Sequence, residues 1–133
     1  MAENTLAGKK ILLVDDDADI LTAMSAAFQD TGAEIMTASD GNKAVELARA
    51  NSPDLVVLDM MLPKQSGFLV LEKIKPQKSA GAKPYVIMVT GNPGKRHQVY
   101  AETLGVEKYM NKPVRMEKLI KEAERLLTGQ ASE

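Results

Sequence analysis

Two hydrophobic periods take turns along this chain. Ile11-Leu12-Leu13-Val14 is an unbroken, branched apolar run, the pattern of a strand covered on both faces. Leu55-Val56-Val57-Leu58 and Tyr85 to Val89 read the same way. Between the first two runs, Ile20, Leu21, Met24, Ala27 and Phe28 recur as one face of a helix, stopped by Thr31-Gly32. Ala33 to Ala38 predicts a second strand, polar enough for a sheet edge. Ser39-Asp40-Gly41 is a turn that also caps a helix running to about Asn51. Leu62-Pro63 and Gly67 fall in a loop after the third strand. Phe68, Leu71 and Ile74 then predict a helix that stops before Pro76, and Lys78 to Lys83 is a small-residue loop.

Gly91-Asn92-Pro93-Gly94 is a strong loop signal. A short, polar helix is expected over Lys95 to Leu104, and a fifth strand over Val106 to Met110. Met116, Leu119, Ile120, Ala123, Leu126 and Leu127 give a well-formed amphipathic helix that ends at Thr128-Gly129. Five strand-helix units argue for an α/β fold with a parallel sheet and helices on both faces. The pattern contains no internal repeat and no linker to a second domain.

Composition narrows the function. The 133 residues are 44% hydrophobic and 26% charged, a globular balance that argues against disorder. The net charge of -1 advertises neither nucleic acid nor a solvating acidic tail. Aromatic residues at 4% cannot supply a stacking platform for single strands. There is no cysteine, hence no disulfide framework and no thiolate metal site, which fits a cytoplasmic location. Met1 to Lys10 lacks the apolar core of a signal peptide, and no apolar run approaches the roughly 20 residues that span a bilayer.

In open α/β sheets, ligands bind beyond the carboxyl ends of the strands. The residues expected there are Asp15 and Asp16, Asp59, Thr90 and Lys112. Two like charges about 4 Å apart cost on the order of 4 kcal/mol at an intermediate dielectric, so such carboxylates call for a divalent cation. All-oxygen ligation favours Mg²⁺ or Mn²⁺ over zinc. One carboxylate can then act as a nucleophile toward phosphorus, with Lys112 and Thr90 offsetting charge on the phosphoryl oxygens. Read alone, Asp15-Asp16-Asp17 could be a helix cap, and Asp17 is assigned to that role. His97, the single histidine, lies in a polar segment and reads as exposed. Lys95-Arg96 reads as a solvated or partner-facing patch.

These residues stand in motifs that resemble the receiver domain of two-component response regulators. The motifs are Ile11-Leu12-Leu13-Val14-Asp15-Asp16-Asp17, Leu58-Asp59-Met60-Met61-Leu62-Pro63 with Gly67, Val89-Thr90-Gly91, and Tyr109-Met110-Asn111-Lys112-Pro113. The resemblance implies a flavodoxin-like, doubly wound (βα)5 fold with strand order 2-1-3-4-5. It implies a receiver unit over residues 8–128 and a polar tail over 129–133. By position, Asp59 matches the phosphoacceptor, and Asp15, Asp16, Asp59 and the Met61 carbonyl match the metal site, with Asp15 acting largely through water. Thr90 matches the switch hydroxyl, Tyr109 the switch aromatic and Lys112 the phosphate-contacting lysine. The Lys112-Pro113 bond matches one often cis in the family. Gly91 departs from the usual alanine, so the loop after the fourth strand is expected to be more pliable. Met61 and Asn92 stand at positions that tune dephosphorylation in the family.

The implied function is a Mg²⁺-dependent signalling switch. Asp59 takes a phosphoryl group from a histidine kinase or a histidine phosphotransfer protein, and the face of the fourth helix, fifth strand and fifth helix changes for a downstream protein target. Such a chain is not an enzyme beyond its own phosphorylation and dephosphorylation. It is expected to be a monomer or a phosphorylation-dependent dimer, touching neither nucleic acid nor membrane. Two arrangements are open, a stand-alone receiver and a receiver cut from a longer chain, and the lead from Met1 with the short tail favours the first. The alternative is a phosphorylation-independent interaction module of the same fold. An aspartyl phosphatase is disfavoured because Met61 occupies the position where such enzymes carry a second aspartate.

Overall fold

The computed structural model describes residues 5–64, 66–75, 83–91 and 95–129. The long apolar runs become β1 (Lys10–Val14), β3 (Leu55–Asp59) and β4 (Tyr85–Thr90), and the two polar ones β2 (Glu34–Ala38) and β5 (Lys108–Asn111). All pair in parallel, in the order β2-β1-β3-β4-β5. The middle strands are buried on both faces, whereas β2 and β5 expose side chains at the two edges. This is the flavodoxin-like order expected from the motifs. The turn Asn92-Pro93-Gly94 lies outside the described residues.

The connecting helices are α1 (Ala18–Gln29), α2 (Gly41–Asn51), α3 (Gly67–Ile74), α4 (Lys95–Thr103) and α5 (Met116–Thr128). They cover both faces, so the apolar side chains fall into two clusters. One holds Leu12, Val56 and Met88 with α2, α3 and α4 residues such as Val45, Leu71 and Ala101. The other holds Ile11, Leu13, Val57 and Ile87 with Met24 and Phe28 of α1 and Leu119 of α5. Alternate strand residues point to opposite faces, which is why neighbours such as Leu12 and Leu13 belong to different clusters.

Local chemistry sets the helix ends. Asp17, Asp40 and Ser66 each cap the helix that follows, accepting from backbone N–H groups of its first turn. Gly129 closes α5 in the left-handed region. The fifth strand begins two residues later than its pattern predicts. The Val106 N–H bonds to the Ala101 carbonyl at the end of α4, so Val106 packs into the core before the ladder begins. Gly67 opens α3 instead of lying in the loop before it. Leu6 is fully buried, its N–H on the Thr31 carbonyl, although its sequence surroundings are polar. The Lys112-Pro113 bond is cis, as the motif implies, and so is Lys83-Pro84.

Candidate functional site

Parallel strands place all their carboxyl ends on one edge of the sheet, and the charged residues gather there. Asp15 directly follows β1, Asp59 is the last residue of β3, and Lys112 directly follows β5. Ligand oxygens of Asp15, Asp16 and Asp59 all lie within 4.8 Å of one another. Asp15 and Asp59 are buried, at 2% and 3% exposure, while Asp16 faces solvent. Lys112 Nζ stands 2.9 Å from Asp15 Oδ2 and 3.3 Å from Asp59 Oδ2.

Backbone groups hold the carboxylates in place. The Asp17 N–H donates to Asp15 Oδ1 at 2.9 Å, and the Met61 N–H donates to Asp59 Oδ1 at 3.1 Å. Met61 therefore meets the site through its backbone, and its side chain points outward at 61% exposure. Asp17 Oδ1 accepts from the Asp19 and Ile20 N–H groups of α1, so the third aspartate of the run serves the helix. Gly67 fits under this corner as only glycine can. A Cβ there would lie 2.5 Å from the Asp59 carbonyl oxygen and 2.7 Å from Met60 Cα.

Thr90 ends β4, fully buried, and its carbonyl accepts from the Lys112 N–H at 2.8 Å. Tyr109 is half-buried and donates its hydroxyl toward Met60 Sδ at 4.0 Å, beside the Asp59 strand. Burial raises the Tyr109 hydroxyl above its ordinary pKa. Gly91 is exposed, and a Cβ on it would meet nothing within 4 Å. His97 is half-buried, not exposed, because its ring stacks 6.1 Å from that of Phe68. The side chains of Lys95 and Arg96, and Asn92, lie outside the described residues.

Electrostatics at the site follow from burial and crowding. Burial, then the nearby Asp15 charge, raises the Asp59 carboxyl above the ordinary range against the pull of the Met61 N–H and Lys112. Burial pushes Lys112 down, but hydrogen bonding to Asp15 and the charges of both aspartates outweigh it and leave its pKa raised. The corner thus holds more negative charge than one lysine balances. Its donors are hard carboxylate oxygens with no sulfur or imidazole among them, which suits Mg²⁺.

A family model for the response regulator receiver domain matches residues 11–124. The chain belongs to that family. Receiver domains are signalling switches of two-component systems. This one is 38% identical over 105 residues to the alkaline phosphatase synthesis transcriptional regulatory protein PhoP of Bacillus subtilis, covering 79% of this chain and 42% of PhoP. It is 31% identical over 120 residues to the protein PilH of Pseudomonas aeruginosa, covering 90% and 98% of the two chains. The receiver therefore spans less than half of PhoP but nearly all of PilH. Among solved structures, a CheY-like response regulator receiver domain protein from Methanospirillum hungatei JF-1 superposes with a TM-score of 0.83 at 28% identity, over 91% of this chain and 94% of that one. The BeF3-activated DrrB receiver domain superposes with a TM-score of 0.79 at 30% identity, over 90% and 97%.

Sequence reasoning did not find the backbone donors of Asp17 and Met61 or the close fit of Gly67. Only the turn geometry after β1 and β3 reveals them. The Ser66 cap did have a sequence signal, a serine ahead of Phe68, Leu71 and Ile74.

Proposed function

We propose that the chain is a phosphorylation-driven switch that accepts a phosphoryl group on Asp59 and answers by changing its surface for a protein partner. One observation carries this reading: three carboxylates from two strand ends and a lysine from a third share one corner. The receiver unit is taken as residues 8–128, with 129–133 as a polar tail.

The phosphoryl donor is a phosphohistidine on a histidine kinase or a phosphotransfer protein. An Asp59 oxygen attacks phosphorus in line, the P–N bond breaks, and the imidazole nitrogen leaves with the electron pair. Lys112 contributes a positive charge to the transferring phosphoryl oxygens, and the Thr90 hydroxyl and the Met61 N–H donate to them afterwards. Asp15, Asp16, Asp59 and the Met61 carbonyl would hold Mg²⁺, which supplies neutralisation of the negative charge that the acceptor and donor bring together. Domain and donor do the rest: Asp15 keeps Lys112 in place, and Gly67 keeps the Asp59 backbone close to α3.

After transfer, the Thr90 hydroxyl turns toward the phosphoryl oxygens and draws the loop after β4. Tyr109, already directed toward Met60, packs further inward, and the face formed by α4, β5 and α5 changes. This is a shift between two populated states biased by one local charge. No independent substrate is turned over. The chain works in the cytoplasm, where histidine kinases present their phosphate. No helix among the described residues is long and apolar enough to cross a membrane.

Phosphotransfer from a histidine kinase to the parent and to Asp59→Asn tests the reading, together with a Mg²⁺ titration. Label on the parent alone supports it. Equal labelling of the variant removes Asp59 from the mechanism, and no response to millimolar Mg²⁺ favours the phosphorylation-independent module.

A further inference from the structure

A second charged site lies beside the metal corner, on the open edge of the sheet. Among the described residues β5 pairs only with β4, so its outer side has no neighbouring strand. Between β5 and the start of α5 runs a groove of about 400 Å³, with Tyr109 and Asn111 in its wall. Lys108, Arg115 and Lys118 line it, and no aspartate or glutamate does. All three cations are exposed, and none joins an ion pair with a carboxylate among the described residues. Elsewhere among the described residues Lys43, Lys64, Lys75, Lys83, Lys112 and Arg125 each meet a carboxylate, while Lys9, Lys10, Arg49, Lys73 and Lys121 form no ion pair but do not line this groove. Three unpaired cations converging on one groove, in a chain of net charge -1, therefore form a local field of one sign.

We infer that this groove binds a short acidic segment of a partner protein, with Lys108, Arg115 and Lys118 receiving its carboxylates. The inference rests on the switch reading, since it gives the chemistry of the partner for the β5 and α5 part of the responsive face. Charge complementarity identifies the occupant. A nucleic-acid backbone fits less well, because α5 also carries Glu117, Glu122 and Glu124, which interrupt any basic stripe that a run of phosphates could follow. Tyr109 lines the groove while its side chain packs against the cluster that holds Met60. It also links the groove to the Asp59 strand, so phosphorylation can alter this surface.

The test is fluorescence anisotropy with the full chain and a labelled dodecapeptide of repeating Glu-Glu-Leu, beside a Lys-Lys-Leu peptide and a single-stranded oligonucleotide. Wild type should bind the acidic peptide, and more weakly as salt rises. A variant carrying Lys108→Glu, Arg115→Glu and Lys118→Glu should bind it at least about tenfold less well and gain affinity for the basic peptide. The milder set Lys108→Gln, Arg115→Gln and Lys118→Gln, checked by thermal melting and unchanged Mg²⁺ affinity, should show the same loss. No binding by wild type, equal binding by the glutamine variant, or tighter binding of the oligonucleotide would overturn the inference. Repeating the titration with Mg²⁺ and BeF₃⁻ separates the two claims. Groove-dependent binding that ignores BeF₃⁻ removes the switch reading and leaves the groove, whereas a BeF₃⁻-sensitive protein whose groove variants bind unchanged removes only the groove.

Discussion

Lys112 Nζ lies closer to Asp15, at 2.9 Å, than to Asp59, at 3.3 Å. The lysine is thus the counter-ion of the acidic corner, with Asp59 as its second partner. Any cation entering the corner competes with it. Replacing it by Lys112→Ala should strengthen Mg²⁺ binding, because a repelling charge is gone. The same change should slow phosphotransfer by about 10²-fold, the usual cost of losing one electrostatic donor to a transferring group. Mg²⁺ titration and single-turnover labelling would move in opposite directions. A parallel fall in both would place the lysine among the groups that build the metal site.

The raised Asp59 carboxyl sets a pH dependence. In the folded chain its proton is held more tightly than in the unfolded chain. Between the ordinary carboxylate pKa and the raised one, the folded state therefore carries the extra proton, and stability falls as pH climbs through that window. Asp59→Asn should abolish this slope. It should raise the metal-free unfolding free energy at pH 7, read from urea melts between pH 4 and 7. Lys112 acts at the other end: its stabilising contribution is complete below the ordinary lysine value of 10.5 and is lost as pH rises through its raised pKa.

At the opposite edge of the sheet, Lys75 Nζ meets Glu107 Oε2 at 2.8 Å, with both side chains buried. The lysine also donates to the Pro84 carbonyl, and Glu107 Oε1 accepts from the Val86 N–H at 2.7 Å. Removing one partner strands a buried charge, so Lys75→Met should cost about 3–5 kcal/mol. Adding Glu107→Leu should restore part of that loss. Chemical denaturation of the two singles and the double measures the coupling, and Mg²⁺ affinity should stay unchanged because the pair is remote from the aspartates.

Two glycines near the site should respond oppositely to alanine. Gly67→Ala forces a methyl against the backbone of Asp59 and Met60, which cannot yield as a side chain could. It should destabilise by about 1–3 kcal/mol and weaken Mg²⁺ binding. Gly91→Ala meets open space, and Gly91 is absent from the positive-φ positions. It should be neutral or stabilise by about 0.4–1 kcal/mol through the unfolded chain. Thermal melts of both variants beside the parent decide the matter.

Asp16 and Asp17 are neighbours with different work. Asp17→Ala removes the α1 cap and should cost about 1 kcal/mol of stability with Mg²⁺ affinity kept. Asp16→Ala leaves the cap intact and exposes nothing apolar, so stability should hold while Mg²⁺ affinity falls at least about tenfold. Isothermal titration together with melting separates the two. An Asp17 variant that loses the metal would contradict the capping role.

The strand-end residues were legible because the apolar runs of β1, β3 and β4 are long, branched and uninterrupted, and each stops at a polar residue. Fold class and strand order followed from five such units and their motifs. The edges were less legible. Val106 carries the apolar character of a strand residue, yet its N–H is taken by α4, a competition between two hydrogen-bond partners that no local pattern records. Lys75, a charged residue at the end of α3, is fully buried, and no local pattern signals it because its partner Glu107 lies far along the chain. His97 reads as exposed for the same reason, since the Phe68 ring that covers it belongs to another helix.

By itself the sequence determined which segments are strands or helices and which chemical groups stand at the strand ends, because both depend on short-range periodicity and on the parallel arrangement it implies. Tertiary structure alone decided which of those groups touch. The choice of Asp15 as the nearer partner of Lys112, the passage of Gly67 beneath Asp59 and the burial of Lys75 against Glu107 arise from contacts between distant segments, and their energies exist only once the core has brought those segments together.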